Sequence, residues 1–258
     1  MRLLAFDTST DVMSIAVAGG LGGQDVPCAT TAPGGALAST TLLPAIIALM
    51  RQAGLGFLQL DAIVFGRGPG AFTGLRTACS VAQGLGFGAL GLAGGRELQV
   101  LPVDTLLTLA EVARHQLGAG AGFRAFALLD ARMNEVYNAA FEFDGSRWQQ
   151  QQEHRLDAPQ HLLPPPPWVG APYVTVGNVF ESMGSQLGPA AGLQQVWAVP
   201  QAQAMLRLAP VLLAAGLAVA PEHALPTYIR DKVAQTTHER TAAKAQTARQ
   251  GGPHHPPA

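Results

Sequence analysis

Charge is scarce in this chain. Only 13% of its 258 residues are Asp, Glu, Lys or Arg, and the formal net charge is -1. A protein that grips nucleic acid by itself carries a basic face, so this composition argues against an independent nucleic-acid binder. Cysteine is nearly absent: Cys28 and Cys79 stand without metal-ligand spacing, which fits small buried residues in a reducing cytoplasm. None of the seven histidines forms a His-x-x-x-His pair, and the adjacent pair, His254-His255, falls in a polar tail. No metal site is therefore expected, and no Gly-x-Ser-x-Gly nucleophile elbow occurs. Apolar runs such as Leu42 to Met50 are too short to span a bilayer. The apolar opening ends at Asp7 without a cleavage region, so no signal peptide is expected. No convincing catalytic set emerges.

What the chain does have is apolar residues, at 48%, and 30 glycines. That is enough for a real core and for close helix contacts, and it points to a protein partner. The most ordered stretch is Asp61 to Arg76: an apolar run, glycines at 66, 68, 70 and 74, then small residues at helical spacing. It reads as strand, tight turn and helix, with Thr73 as N-cap. A turn at a helix N-terminus can cradle phosphate. The spacing of Gly66, Gly68, Gly70 and Gly74 is neither the dinucleotide fingerprint nor a P-loop, so tight packing is the better reading.

In chain order, residues 2–6 and Val12 to Ala18 predict a hairpin around Asp7-Thr8-Ser9-Thr10, with a weaker strand at Val26 to Thr31 before Pro33-Gly34-Gly35. Leu37 to Ala53 predicts a helix, with Ser39, Thr40 or Thr41 as cap and Gly54 as stop. Leu42, Ile46, Leu49 and Met50 make one apolar stripe, and Leu43 and Ile47 lie beside it. Spacing leaves two explanations open: a helix buried between layers, or a docking surface shared with the helix over 74–89. A strand at Val100 to Val103 and a helix capped by Asp104 follow, and then the opening repeats. Phe126 to Asp130 and Glu135 to Phe143 form a second hairpin, which implies two related α/β halves. Gln149 to Gln152 and Pro164 to Pro167 read as surface spacer, Tyr173 to Val176 as a strand and Met205 to Ala218 as a helix in which Pro210 marks a kink or a late start. The expected plan is a first subdomain over 1–104, completed near 205–234, a smaller one over 105–204, and a disordered tail over 241–258.

Four blocks carry a resemblance. Gly66-Arg67-Gly68-Pro69-Gly70-Ala71-Phe72-Thr73-Gly74-Leu75-Arg76 is similar to the signature of the bacterial TsaB (YeaZ) family. Asp7-Thr8-Ser9-Thr10, Asp130-Ala131-Arg132-Met133-Asn134-Glu135-Val136-Tyr137 and Pro226-Thr227-Tyr228-Ile229-Arg230-Asp231-Lys232-Val233-Ala234 occur in the family's order. The stretch from about 145 to 220 carries little of it. The resemblance implies the duplicated actin-like (ASKHA) α/β fold. It also implies a non-catalytic subunit that pairs with TsaD and works with the ATPase TsaE. That complex makes N6-threonylcarbamoyladenosine in tRNAs reading codons that begin with A. ATP or ADP and a metal ion would then sit on partner subunits, none on this chain alone, and tRNA would be reached through the complex. One departure is Ala38, where many members hold a histidine.

Under this reading the partner surface is Leu42, Leu43, Ile46, Ile47 and Met50 on one helix with Leu75, Ala78, Ala82 and Leu85 on the next. A further reading is self-association as a homodimer through the same helices when TsaD is absent. Arg132 is a candidate nucleotide contact at the interface, weighed against a solvated turn. Both hairpin turns look poor for phosphate, since Asp7 to Thr10 has no glycine and Arg132 and Met133 are bulky. The rival readings are an independent actin-like ATPase or kinase and a glycoprotease-like peptidase.

Overall fold

β1 (Leu3–Asp7) and β2 (Val12–Ala18) form the antiparallel hairpin, in register from Leu3↔Ala18 to Asp7↔Ser14. In this computed structural model residues 1–19, 27–90, 98–188 and 194–230 are described. β1 is buried along its whole length, so its sheet needs cover on both faces. β3 (Cys28–Pro33) pairs with β2 as an exposed edge and ends at Pro33, which an edge strand tolerates, where the Pro33-Gly34-Gly35 break is expected.

α1 (Ala38–Gln52) follows a 3-10 turn at Gly35–Leu37. None of the expected hydroxyls caps it. Thr40 and Thr41 donate back to the Leu37 carbonyl at 3.0 and 2.8 Å, and Ser39 donates to the Ala36 carbonyl. The helix does stop at Gly54, whose φ of 67° lets Leu55 N–H reach back to the Met50 carbonyl at 3.0 Å. β4 (Ala62–Gly68) lies parallel to β1, and β5 (Gln99–Asp104) lies parallel to β4. Between them α2 (Phe72–Leu90) starts one residue ahead of Thr73, which therefore sits inside the first turn and is not the N-cap. α1 and α2 cover one face of the sheet β3-β2-β1-β4-β5, and Leu4, Phe6, Met13, Ile15, Leu42, Ile46, Ile63 and Phe65 fill the space between.

α3 (Thr105–Gln116) is capped by Asp104 Oδ1, which accepts Leu107 N–H at 2.8 Å. The second half then repeats the first. β6 (Phe123–Asp130) and β7 (Val136–Phe143) form the hairpin, and β8 (Trp148–Asp157) is the antiparallel edge. β9 (Val174–Gly177) pairs parallel to β6, α4 (Phe180–Met183) follows, and β10 (Gln194–Trp197) pairs parallel to β9. The order β8-β7-β6-β9-β10 is the order of the first sheet over again, and the architecture is a duplicated actin-like α/β fold.

Two surface spacers turn out to be structure. Gln149 to Gln152 belong to β8, where pairing with β7 overrides a composition without apolar alternation. Pro164 to Pro167 lead into a 3-10 turn that seats Trp168, 1% exposed, in the cluster of Phe126, Leu128, Leu162 and Val179. In chain order that segment stands where the first half has α1.

α5 (Ala202–Ala214) begins three residues before the expected start and carries Pro210 inside. It covers the other face of the first sheet, with Met205, Leu206 and Ala209 against Leu3, Ala5, Val64 and Leu101. Its first N–H is capped from a distance: Ala202 donates to Ser14 Oγ on β2 at 2.9 Å.

After α5 a strap runs beside α2 and along the edge strand β5. Val219 and Val100 exchange backbone hydrogen bonds at 2.8 and 3.0 Å, and Pro221 packs where Gly86 lacks a side chain. The Ala224 carbonyl accepts from Cys79 Sγ and from Gln83 Nε2, and Thr227 N–H donates to the Arg67 carbonyl at 2.7 Å. Met1 to Thr227 form one compact unit, and a second begins at Tyr228. The tail expected over 241–258 lies outside the described residues. No helix among the described residues is long and apolar enough to cross a membrane.

Candidate functional site

In each half the first hairpin turn begins with an aspartate that closes the same small ring. Asp7 Oδ1 accepts from Ser9 N–H at 2.8 Å and Ser9 Oγ at 2.6 Å; Asp130 Oδ1 accepts from Arg132 N–H at 2.7 Å. What lies over the two rings differs.

The glycine stretch lies over the first. A side chain at Gly66 would put its Cβ 1.8 Å from Asp7 Oδ2, one at Gly70 would meet Ser9 at 2.5 Å, and one at Gly74 would lie 1.8 Å from the Thr8 carbonyl oxygen. Thr8 Oγ1 donates to the Gly74 carbonyl at 2.7 Å, and Ala71 N–H donates to the Ser9 carbonyl at 2.8 Å. Gly70 and Gly74 are therefore present so that two backbones can touch, and Gly66 so that the Asp7 side chain fits against the loop. Gly68, at φ 110° and joined to Pro69 by a cis bond, meets Leu75 and the Thr227 carbonyl.

Asp7, Thr8 and Ser9 are buried as a result, at 0, 0 and 2% exposure. Asp7 Oδ2 has no hydrogen-bond partner there. Burial pushes the Asp7 carboxyl up from its ordinary value, against the two bonds from Ser9 that pull it down.

The second ring is open. Arg132, Met133 and Asn134 all have positive φ, at 63, 58 and 56°, and Met133 is 72% exposed. The turn is closed by Ala131 N–H donating to the Glu135 carbonyl at 2.9 Å, and Asn178 Oδ1 accepts from Asp130 N–H at 2.9 Å. Arg132 pairs with Asp11 of the first hairpin turn and lies 3.6 Å from Asp130. The two turns thus meet across the mouth between the halves. Nothing in the sequence signals the Asp11–Arg132 contact, which joins residues 121 apart.

The model of the family described as TsaD: tRNA N6-adenosine threonylcarbamoyltransferase matches residues 37–238. The tRNA threonylcarbamoyladenosine biosynthesis protein TsaB of Escherichia coli strain K12 is 32% identical, over 91% of this chain and 96% of that protein. This chain belongs to the TsaB (YeaZ) family. The TsaB of Haemophilus influenzae is 39% identical over about half of each chain, 53% of this one and 52% of the other. The solved structure of YeaZ from Pseudomonas aeruginosa superposes with a TM-score of 0.76 at 32% identity, covering 88% of this chain and 99% of that one.

In this TsaB-family chain six of the nine residues expected on a partner surface are core. Leu42 (0%), Ile46 (0%), Met50 (2%), Leu75 (1%), Ala78 (0%) and Ala82 (0%) are turned inward. Leu42, Ile46, Met50, Ala78 and Ala82 sit in the cluster under the sheet, since the main stripe of each helix is needed to cover β1 and β4. Leu43 is exposed, and Ile47 and Leu85 are half-buried. Phe87, 47% exposed near the end of α2, stands between two glycines, which give no apolar stripe to mark it in the sequence. Ala38, in the family's histidine place, opens α1 fully buried. Among the described residues no three His, Cys, Asp or Glu side chains converge as metal ligands would.

Proposed function

We propose that this chain serves the biosynthesis of threonylcarbamoyladenosine in tRNA as a non-catalytic cytoplasmic subunit that pairs with TsaD and works with the ATPase TsaE. Membership of the TsaB family supports the pathway. One observation carries the non-catalytic part: the Asp7 turn is packed under its own glycine loop, with the backbones of Thr8, Ser9, Gly70 and Gly74 in contact. A phosphate group has no room beside that turn unless α2 moves. ATP or ADP and a metal ion are therefore assigned to the partner subunits, and tRNA is reached through the complex. Arg132 would contact a nucleotide phosphate there only by exchanging Asp11 for it.

The pairing surface in this reading is what α1 and α2 leave outside: Leu43, Ile47, Leu85 and Phe87. The same face would hold a second copy of the chain when TsaD is absent. Leu43→Asp and Phe87→Asp are expected to keep the fold and to weaken TsaD binding about tenfold or more, on the order of 1.4 kcal/mol. Titration calorimetry with native TsaD reads this directly, and unchanged binding by both variants would remove the surface. Modification of tRNA by the isolated chain would overturn the non-catalytic reading.

A further inference from the structure

We propose that the two halves of this chain are locked into one rigid body, and that Glu111 is the positioning residue of the lock. α3 leaves the first half at β5 and contacts β4 and β5 on one side and β6, β7 and β9 on the other. α5 leaves the second half at β10 and returns to β1 and β2. Any swing of one half against the other must move these two helices past each other.

Glu111 sits at their crossing, 2% exposed in a charge-poor molecule. Its carboxylate accepts from Arg114 Nε and Nη2 at 2.8 and 2.9 Å, from Arg207 Nε on α5 at 2.8 Å and from Trp148 Nε1 on β8 at 3.1 Å. Burial alone would push this carboxyl up; the bonds from Arg114, Arg207 and Trp148 outweigh it and hold the group below its ordinary value. The Trp148 ring also packs at the edge of the core between α5 and the first sheet, and tilts against Phe143 at 5.3 Å between centroids. A buried carboxylate separated from one of its cations is strongly disfavoured, so opening at this crossing is opposed where it would begin.

Two more contacts join the same halves. His154 Nε2 on β8 lies 2.5 Å from Asp104 Oδ2 at the head of α3, off the hydrogen-bond line, and Arg132 pairs with Asp11 at the rim. The rim pair is exposed on both sides and contributes least. The lock is indifferent to the identity of the partner, so failure to bind TsaD would leave it standing.

The test is a spin-label distance measurement on the full chain, with Gln52→Cys on α1 and Gln151→Cys on β8 in a Cys28→Ser background. The expected result is one narrow distance distribution, identical with and without magnesium ATP. Glu111→Gln should broaden it about twofold or split it, and should speed amide exchange in α3 about tenfold. If Glu111→Gln does not fold, Trp148→Phe, which removes one donor, takes its place with a smaller broadening. Two populations in the native chain, a shift on adding magnesium ATP, or an unchanged width in the folded variant would each overturn the lock.

Discussion

The two hairpin turns share a plan and have opposite fates. Asp7 and Asp130 each end a first strand and each bind the N–H two residues on. In the first half the glycine loop closes over the ring and takes it out of water; in the second half Asn178 makes one stitch and the turn stays outside. A duplicated unit can therefore keep its local chemistry while its surroundings decide whether that chemistry is core or surface. The first turn became packing, and the second became an exposed projection.

The largest expected effect tests the closed side. Gly74→Ala puts a Cβ 1.8 Å from the Thr8 carbonyl, with backbone on both sides of the clash, and should cost about 3 kcal/mol or prevent folding. Gly84→Ala, in the same helix with open space around it, should gain about 0.5–1 kcal/mol. Chemical denaturation of the pair reads the contrast, and equal effects would refute the account of the glycines.

Next comes pH. Asp7 is held above its unfolded value, so its contribution to stability is full below about pH 4 and is lost as pH rises through the folded value. Glu111 is held below its unfolded value, so its contribution is present above about pH 4 and is lost as pH falls through the folded value. Asp7→Asn should raise stability at pH 8 by about 1 kcal/mol relative to the native chain and flatten the alkaline slope. Glu111→Gln should be destabilised at pH 8 and flatten the acid side. Thermal melts across pH 3–9, a range of about six units chosen to bracket ordinary carboxylate values, would show whether the two slopes oppose each other.

The open side gives smaller numbers. Met133→Gly relieves a left-handed residue in a run of three and should stabilise by about 1 kcal/mol, with no loss of core. Arg132→Ala removes an exposed pair and should change stability by less than about 1 kcal/mol. A large loss from either would mean that the second turn is buried as deeply as the first.

Much of this was legible beforehand because it is local. Both hairpins, the strand entering the glycine turn, the stop at Gly54 and the cap at Asp104 follow from residue chemistry within a few positions. The site was less legible. A helix with two apolar stripes does not say which one faces the sheet, so spacing alone puts Leu42 and Ile46 on one surface with Leu43 and Ile47. β8 has four glutamines and no alternation, and β10 has four residues, so neither declares itself before its neighbour is known. Glu111 looks like any helical glutamate until Arg207 and Trp148 arrive from far along the chain.

The strap beside α2 sets an order of events. Cys79 and Gln83 find their common acceptor only at residue 224, and Arg67 its backbone partner only at 227. A ribosome making the chain from its N-terminus exposes α2 early and supplies its backing last. That side of the helix therefore waits, uncovered, through synthesis of the whole second half, and the first half is finished only when the strap comes free.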